Sequence, residues 1–245
     1  MNDKFWNSRA VKYNELSWVK NTDFTQKIIE CCDLEPTDVV LDVGVGTGAI
    51  SSAVSPYVKK VIGIDSSIDM LNKSSYFGCH NNCFLINWDI RDELFMDCIF
   101  DKVISRHTFH HITDNIHGAF DSCWNALKFG GKFILIEGVP PSIRCKKEFT
   151  EIFKIKEDRL VFLEEDLVSL MEYAGFNEIK LNSITLKNMS VKNWIENSGI
   201  SIDAQNKIYD MHLNASKEFK EDYNMEITDT DCLIDMKMAI VVGNK

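Results

Sequence analysis

The chain has 245 residues, 45% of them hydrophobic, and a formal net charge of −10 from 27 basic and 37 acidic side chains. That is enough apolar material for one full core, and the acidic excess argues against nucleic acid as the main partner, because it repels a phosphate backbone. No run of about 18 apolar residues marks a membrane span and Met1-Asn2-Asp3-Lys4 lacks the apolar core of a signal peptide, so a cytoplasmic protein without a membrane partner is expected.

Nearly forty residues precede the first strong strand signal. Phe5, Trp6, Tyr13, Leu16 and Trp18 punctuate them at a loosely helical spacing, and Thr22-Asp23 offers an N-cap for a helix through Cys32. This reads as an aromatic N-terminal arm over residues 1–34. Val39-Val40-Leu41-Asp42-Val43 is then a β-branched run too short for a helix and followed at once by Gly44-Val45-Gly46-Thr47-Gly48, so it predicts a buried parallel strand feeding a tight glycine turn. Ala49 to Tyr57 supplies the helix after the turn, and Val61-Ile62-Gly63-Ile64-Asp65 a second strand ending in a carboxylate.

Such a βαβ unit is built to hold a nucleotide. Its glycines let the backbone approach a ligand, helix N-terminal amides face it, and an acid about 20 residues beyond the first glycine can take the two ribose hydroxyls. Gly44, Gly46 and Ala49 satisfy the G-x-G-x-x-A dinucleotide fingerprint, which keeps an NAD(P)-dependent oxidoreductase as one reading. Asp42 at the strand end, the third glycine Gly48, and Trp88-Asp89-Ile90 after a third strand point instead to S-adenosylmethionine.

The chain continues with a short helix from Ser66 to Ser75 carrying Ile68 and Met70-Leu71, and a strand at Cys83-Phe84-Leu85-Ile86. Asp89 follows that strand's C-terminal end, where a carboxylate can accept the exocyclic amine of adenine, and Trp88 beside it either stacks on the base or fills core. Phe100 to Ser105 is a fourth strand; Thr113-Asp114 caps a helix to Lys128 that Gly130-Gly131 ends; Lys132 to Glu137 is a fifth strand. Between strand and helix lies Arg106-His107-Thr108-Phe109-His110-His111. Histidine suits proton transfer near neutral pH, so His110 and His111 are candidate catalytic bases, the alternative being hydrogen-bonded structural residues.

After Gly138-Val139-Pro140-Pro141, positive charge concentrates at Arg144, Lys146, Lys147, Lys154, Lys156 and Arg159, suited to an acidic group on a substrate. The interleaved Glu148, Glu151, Glu157 and Asp158 also fit a solvated helix face. A helix from Glu164 to Ala174 and a strand from Asn177 to Leu186 follow. Ser190 to Asn197 and Asp203 to Lys220 read as inserted helices whose Met189, Trp194, Ile195, Tyr209, Met211, Phe219 and Tyr223 give an apolar surface, either a lid over an acceptor pocket or an ordinary cap.

Eight cysteines are scattered and read as buried free thiols in a reducing compartment. The one metal-like spacing, Cys79-His80-Asn81-Asn82-Cys83, lacks a second ligand pair, so no metal is expected.

Leu41-Asp42-Val43-Gly44-Val45-Gly46-Thr47-Gly48, Gly63-Ile64-Asp65-Ser66-Ser67, Asp89 and Gly130-Gly131-Lys132-Phe133 resemble the successive motifs of class I S-adenosylmethionine-dependent methyltransferases. Phe100-Asp101-Lys102-Val103-Ile104-Ser105-Arg106 with His110-His111 is most similar to the small-molecule branch that includes the ubiquinone/menaquinone C-methyltransferases. The resemblance implies an α/β, Rossmann-like seven-stranded sheet, mostly parallel with an antiparallel last strand at Leu233 to Val242, helices on both faces and a helical cap. One methyltransferase domain over 1–245 follows, with cap or lid insertions at 139–162 and 188–228. It also implies S-adenosylmethionine as cofactor, bound through Tyr13, Asp42, Gly44, Gly46, Gly48, Asp65, Ser66, Met70, Trp88, Asp89, Ile90, Ser105 and Arg106. The acceptor would be a small organic molecule, apolar or aromatic with room for an acidic group. A non-catalytic S-adenosylmethionine-binding protein stays open as a further reading.

Overall fold

The computed structural model describes residues 6, 9–74, 81–92 and 97–245. Phe5, Cys79 and His80 lie outside these residues, so the Cys79–Cys83 spacing is not described as a group.

The apolar runs become the strands β1 (Val39–Val43), β2 (Lys60–Asp65), β3 (Cys83–Asn87), β4 (Phe100–Arg106), β5 (Leu127–Val139), β6 (Asn177–Ser190), β7 (Glu226–Ile227) and β8 (Cys232–Asn244). They form one sheet in the order β3-β2-β1-β4-β5-β8-β6, with the two-residue β7 added against β8 as an eighth strand. Pairs among β1 to β5 are parallel, and β8 runs antiparallel between β5 and β6. This is the expected mostly parallel sheet with a reversed last strand.

Period-two alternation divides the strands between two cores. Val40, Val61, Ile104, Ile134 and Ile240 face one side, where Phe24 and Ile28 of α1 (Thr22–Cys32) cover them. Leu41, Val103, Phe133, Leu135 and Val241 face the other, under Phe120 and Cys123 of α4 (Ile116–Ala126) and Leu167 and Met171 of α6 (Glu164–Tyr173). Between α1 and α4, α2 (Ala49–Val54) follows β1 and α3 (Ile68–Ser74) follows β2.

Several boundaries differ from those the sequence predicts. Asn21, not Thr22, caps α1, its Oδ1 accepting from Phe24 N at 2.8 Å. Helix α4 starts after Asn115, and it ends at Ala126 because Leu127 pairs with Phe100 and begins β5. Gly130, at φ 79°, therefore lies inside an irregular strand rather than at a helix end. The predicted helix 203–220 is two, α8 (Ile202–Leu213) and α9 (Lys217–Asp222), because Ser216 Oγ caps a new start by accepting from Phe219 N.

The cap is made of α5 (Lys146–Lys156), α7 (Val191–Glu196), α8 and α9. It is continuous with the sheet's core: Val191, Ile208 and Phe219 are buried in the same cluster as Val40 and Ile134. These helices are therefore packed as part of that core. No helix among the described residues is long and apolar enough to cross a membrane.

Phe133 is fully buried, with the Phe109, Phe120 and Phe176 ring centroids 5.5–5.8 Å away. Phe133→Ala should lower unfolding free energy by about 3–5 kcal/mol in urea titrations.

Candidate active site

Strands β1, β2 and β4 end on one edge of the sheet, and the turns leaving them converge there. Gly44 N and Val45 N both donate to Ile64 O at 2.9 Å, folding the glycine turn back on β2. Gly44 has φ 70°, and a Cβ on it would overlap the Thr108 side chain; Gly46 has φ 54° and room limited by Met70 Cε at 3.2 Å. Thr108, not singled out by the sequence, thus packs directly on the first glycine.

Asp65 locks this edge. Its Oδ2 accepts from Gly46 N and its Oδ1 from Ser67 N, both at 2.8 Å, so one carboxylate joins the glycine turn to the turn before α3. Burial raises its pKa against those two N–H donors. Each oxygen keeps a further lone pair for a ribose hydroxyl. Asp89 is engaged more fully than the sequence suggests: Arg91 Nε reaches Oδ1 at 2.9 Å and Nη2 reaches Oδ2 at 2.6 Å. These hydrogen bonds from Arg91 hold its carboxyl below the usual range. An adenine amine would share an acceptor that already serves a guanidinium.

A cavity of about 710 Å³ opens from these turns toward the cap. Of the predicted cofactor residues, Tyr13, Gly44, Gly46, Asp65, Ser66, Met70, Trp88, Asp89, Ile90 and Arg106 line it. Asp42, Gly48 and Ser105 do not. Asp42 is 2% exposed beneath the turn, accepting from Ser51 Oγ at 2.6 Å, and burial pushes its carboxyl up to about 6. Gly48, at φ 87°, is the residue before α2, and Ser105 Oγ donates to Val43 O at 3.0 Å. These three shape the strand ends.

His110 and His111 both line the cavity, joined by His107, which holds φ 56°. Glu137, near the end of β5 and 0% exposed, has its Oε2 2.6 Å from His110 Nδ1 and 4.0 Å from His107 Nδ1. Burial pushes the Glu137 carboxyl up to about 7, against the lowering influence of Arg159 and neighbouring backbone N–H groups. Burial is likewise the largest influence on the three imidazoles and holds all of them well below their ordinary value, in the neutral form. His107 Nε2 and His111 Nδ1 are buried and have no hydrogen-bond partner among the described residues.

The predicted basic cluster divides in two. Arg144 pairs with Asp222 at the surface, and Lys146 lies 3.3 Å from Asp166. Glu148 accepts from Ser216 N and Oγ instead of pairing with a lysine. Lys156 and Arg159 turn inward, line the cavity, and share Glu157 with Arg9 of the arm. Arg9 has no periodic or motif signal, so only the fold reveals it. From the cap, Phe149, Phe153, Trp194, Phe219 and Tyr223 line the cavity, while Met189, Ile195, Tyr209 and Met211 pack elsewhere; Met236 and Met238 of β8 supply the methionines.

Two groups could offer three ligand atoms to a metal, His107-His110-Glu137 and His110-His111-Glu157, each set within 4.8 Å of one another. Glu157 of the second group already pairs with Arg9, Lys156 and Arg159.

The strand order with reversed β8, the glycine turn, and acids at the ends of β2 and β3 define a class I S-adenosylmethionine-dependent methyltransferase. Residues 41–135 match the methyltransferase domain family, and the chain is an enzyme of this class with S-adenosylmethionine as cofactor. It is 27% identical over 199 residues to the uncharacterized methyltransferase YcgJ of Bacillus subtilis, covering 79% of this chain and 75% of that one. The YcgJ crystal structure superimposes with a TM-score of 0.78 at 21% identity, over 90% of this chain and 97% of that chain. Identity is 28% over 133 residues to the ubiquinone/menaquinone biosynthesis C-methyltransferase of Wigglesworthia glossinidia brevipalpis, 51% of this chain and 53% of that one. It is also 28% over 159 residues to phosphoethanolamine N-methyltransferase of Triticum aestivum, 63% of this chain but only 31% of that enzyme.

Asp65→Ala should weaken S-adenosylhomocysteine binding by about 1.5–3 kcal/mol in calorimetry, the range for a charged hydrogen bond, and loosen the glycine turn as well. Glu137 has a folded pKa raised to about 7 from an ordinary 4.5. The unfolded chain then loses this proton first, so its contribution to stability declines as pH rises from the lower value to the higher. Comparing wild type with Glu137→Gln by urea unfolding between pH 4 and 8 should show that declining component only in the wild type.

Proposed function

We propose that the protein transfers the methyl group of S-adenosylmethionine to a small organic acceptor bound in the cap end of the cavity. The observation that carries this reading is the continuity of that cavity. One space of about 710 Å³ is lined at one end by Gly44, Asp65 and Asp89 and at the other by Phe153, Trp194 and Tyr223. This lies within the roughly 300–1,000 Å³ of ordinary ligand pockets. Asp65, Ser66, Met70, Trp88, Asp89 and Ile90 would hold the adenosine, and Gly44, Gly46, Thr108, Tyr13 and Arg106 the methionyl part. That places the methyl group near the histidine loop.

The sulfonium needs little activation, so the protein's work is alignment and exclusion of water. A nucleophilic atom of the acceptor forms the new bond to the methyl carbon as the carbon–sulfur bond breaks, and that electron pair stays on sulfur. Where the acceptor atom carries a proton, His110 is the base we assign. Its Nδ1 is held by Glu137, which leaves Nε2 as the acceptor, and the pair can take up one proton near neutral pH because the Glu137 carboxyl is pushed to about 7. The enclosed aromatic lining favours an acceptor with an apolar or aromatic body. The phosphoethanolamine N-methyltransferase 2 of Haemonchus contortus, crystallised with phosphomonomethylethanolamine and S-adenosylhomocysteine, shares this fold with a TM-score of 0.68 at 18% identity, over 96% of this chain and 56% of that one.

Incubation with S-adenosylmethionine and a panel of small aromatic and aliphatic acceptors, read by mass spectrometry, tests the activity. Finding no methylated product while the cofactor binds would favour the non-catalytic reading, and selective binding of NAD(P) the oxidoreductase one. Once an acceptor that must lose a proton is found, His110→Gln should lower turnover by about 10²–10⁴-fold with cofactor affinity retained. The wild-type rate should rise with pH through about 7, as the His110–Glu137 pair becomes able to accept a proton.

A further inference from the structure

Alignment and proton removal leave one feature of the cavity unused: three cationic side chains buried at its cap end. Arg9 is 6% exposed, Lys156 5%, and the Arg159 side chain 7%. They come from three separate places, the arm, the last turn of α5 and the extended segment after it, yet all line the cavity. They share one carboxylate. Glu157 Oε2 lies 2.6 Å from Arg9 Nη1, and Oε1 lies 2.7 Å from Lys156 Nζ and 3.5 Å from Arg159 Nη1.

Among the described residues Lys156 and Arg159 have no other carboxylate within ion-pair distance, and Glu157 alone cannot neutralise both. Glu137 faces His110, and burial pushes its carboxyl up to about 7. A charge taken out of water without a partner costs several kcal/mol, so the arrangement is short of negative charge. Lys156 registers this directly: burial and the neighbouring Arg9 and Arg159 push its ammonium well below the ordinary value, only partly opposed by Glu157. Donors are also left over. Arg159 donates Nε to Leu160 O at 3.2 Å and reaches Glu157 through Nη1, which leaves further N–H groups of its fork for a ligand.

Building on the acceptor reading above, we propose that Lys156 and Arg159 form the seat of an oxyanion carried by the acceptor, a phosphate or a carboxylate, with Glu157 as their internal counter-charge and Arg9 on its other oxygen. Guanidinium and ammonium groups recognise such oxyanions through charge-assisted hydrogen bonds. The rings beside the seat, Phe153 with Arg159 Cζ 4.2 Å from its centroid and Trp194 5.2 Å from Phe153, take the organic body. The acceptor is therefore an amphiphilic small molecule with an anionic end.

The test uses the full chain saturated with S-adenosylhomocysteine and titrated calorimetrically with phenyl phosphate, benzoate and neutral benzamide. At least one anion should bind tenfold or more tightly than benzamide, and Lys156→Met and Arg159→Met should each remove most of that preference while S-adenosylhomocysteine affinity is kept. Tighter binding of phenyl phosphate identifies a phosphate seat, and tighter binding of benzoate a carboxylate seat. Glu157→Gln, which removes the internal counter-charge, should strengthen anion binding, whereas a merely structural role would weaken it. Equal binding of the three probes by the wild type, a preference that survives both methionine substitutions, or weaker anion binding in Glu157→Gln would overturn the proposal and leave the methyltransferase reading standing. Failure of the wild type to bind S-adenosylhomocysteine would overturn that reading instead.

Discussion

The ligand edge depends on β1 pairing in parallel with both β2 and β4. Parallel pairing puts the three C-terminal ends side by side, so the glycine turn, Asp65 and the histidine loop emerge within reach of one another. Asp65 then fixes the distance between the first two turns through its two backbone acceptances. Thr108 fixes the third by resting on Gly44, where no side chain fits. Cofactor geometry is thus a property of backbone, held by a few side chains that a ligand does not have to reorganise.

The cap end of the cavity is assembled differently, from elements far apart in the chain. Several contacts among the described residues hold the arm. Thr47 Oγ1 donates to Asn14 Oδ1 at 2.8 Å, tying it to the glycine turn; Ser17 N and Oγ both donate to Asn193 Oδ1, tying it to α7; Arg9 meets Glu157 after α5. Leu160 N donates to His110 O at 2.8 Å, which joins the segment carrying Arg159 to the histidine loop. The arm is accordingly a shared wall between the two ends of the cavity.

This difference explains what could be read from the residues alone. The βαβ unit was legible because its requirements are local: glycines at left-handed positions, a buried apolar run, an acid at a strand end. Gly44, Gly46, Asp65 and Asp89 emerge from spacing, whereas Asp42, Gly48 and Ser105 belong to the same motifs but support the turn from below. The buried basic cluster was only half legible. Lys156 and Arg159 stand in a run of alternating charge that looks like a solvated helix face, and only the packing of α5 shows that they turn inward while Arg144 stays at the surface. Arg9 and Glu137 are invisible in sequence, since their meaning arises from contacts across 148 and 27 residues. The helix end placed at Gly130 erred because Leu127 gains a strand partner in Phe100, and tertiary pairing outweighed the local glycine signal.

The position of β8 bears on how the chain is made. In the sheet β6 has β8 as its strand neighbour and meets β5 only across it. During synthesis β6 and the whole helical cap leave the ribosome before β8 exists, so the fourteen-residue strand β6 must wait with its ladder hydrogen bonds unmade. The parallel half bearing the cofactor edge can pair from β1 to β5 in the meantime. Ile234, Met236 and Met238 of β8 line the cavity, so its wall is complete only once the last strand of the sheet is in place.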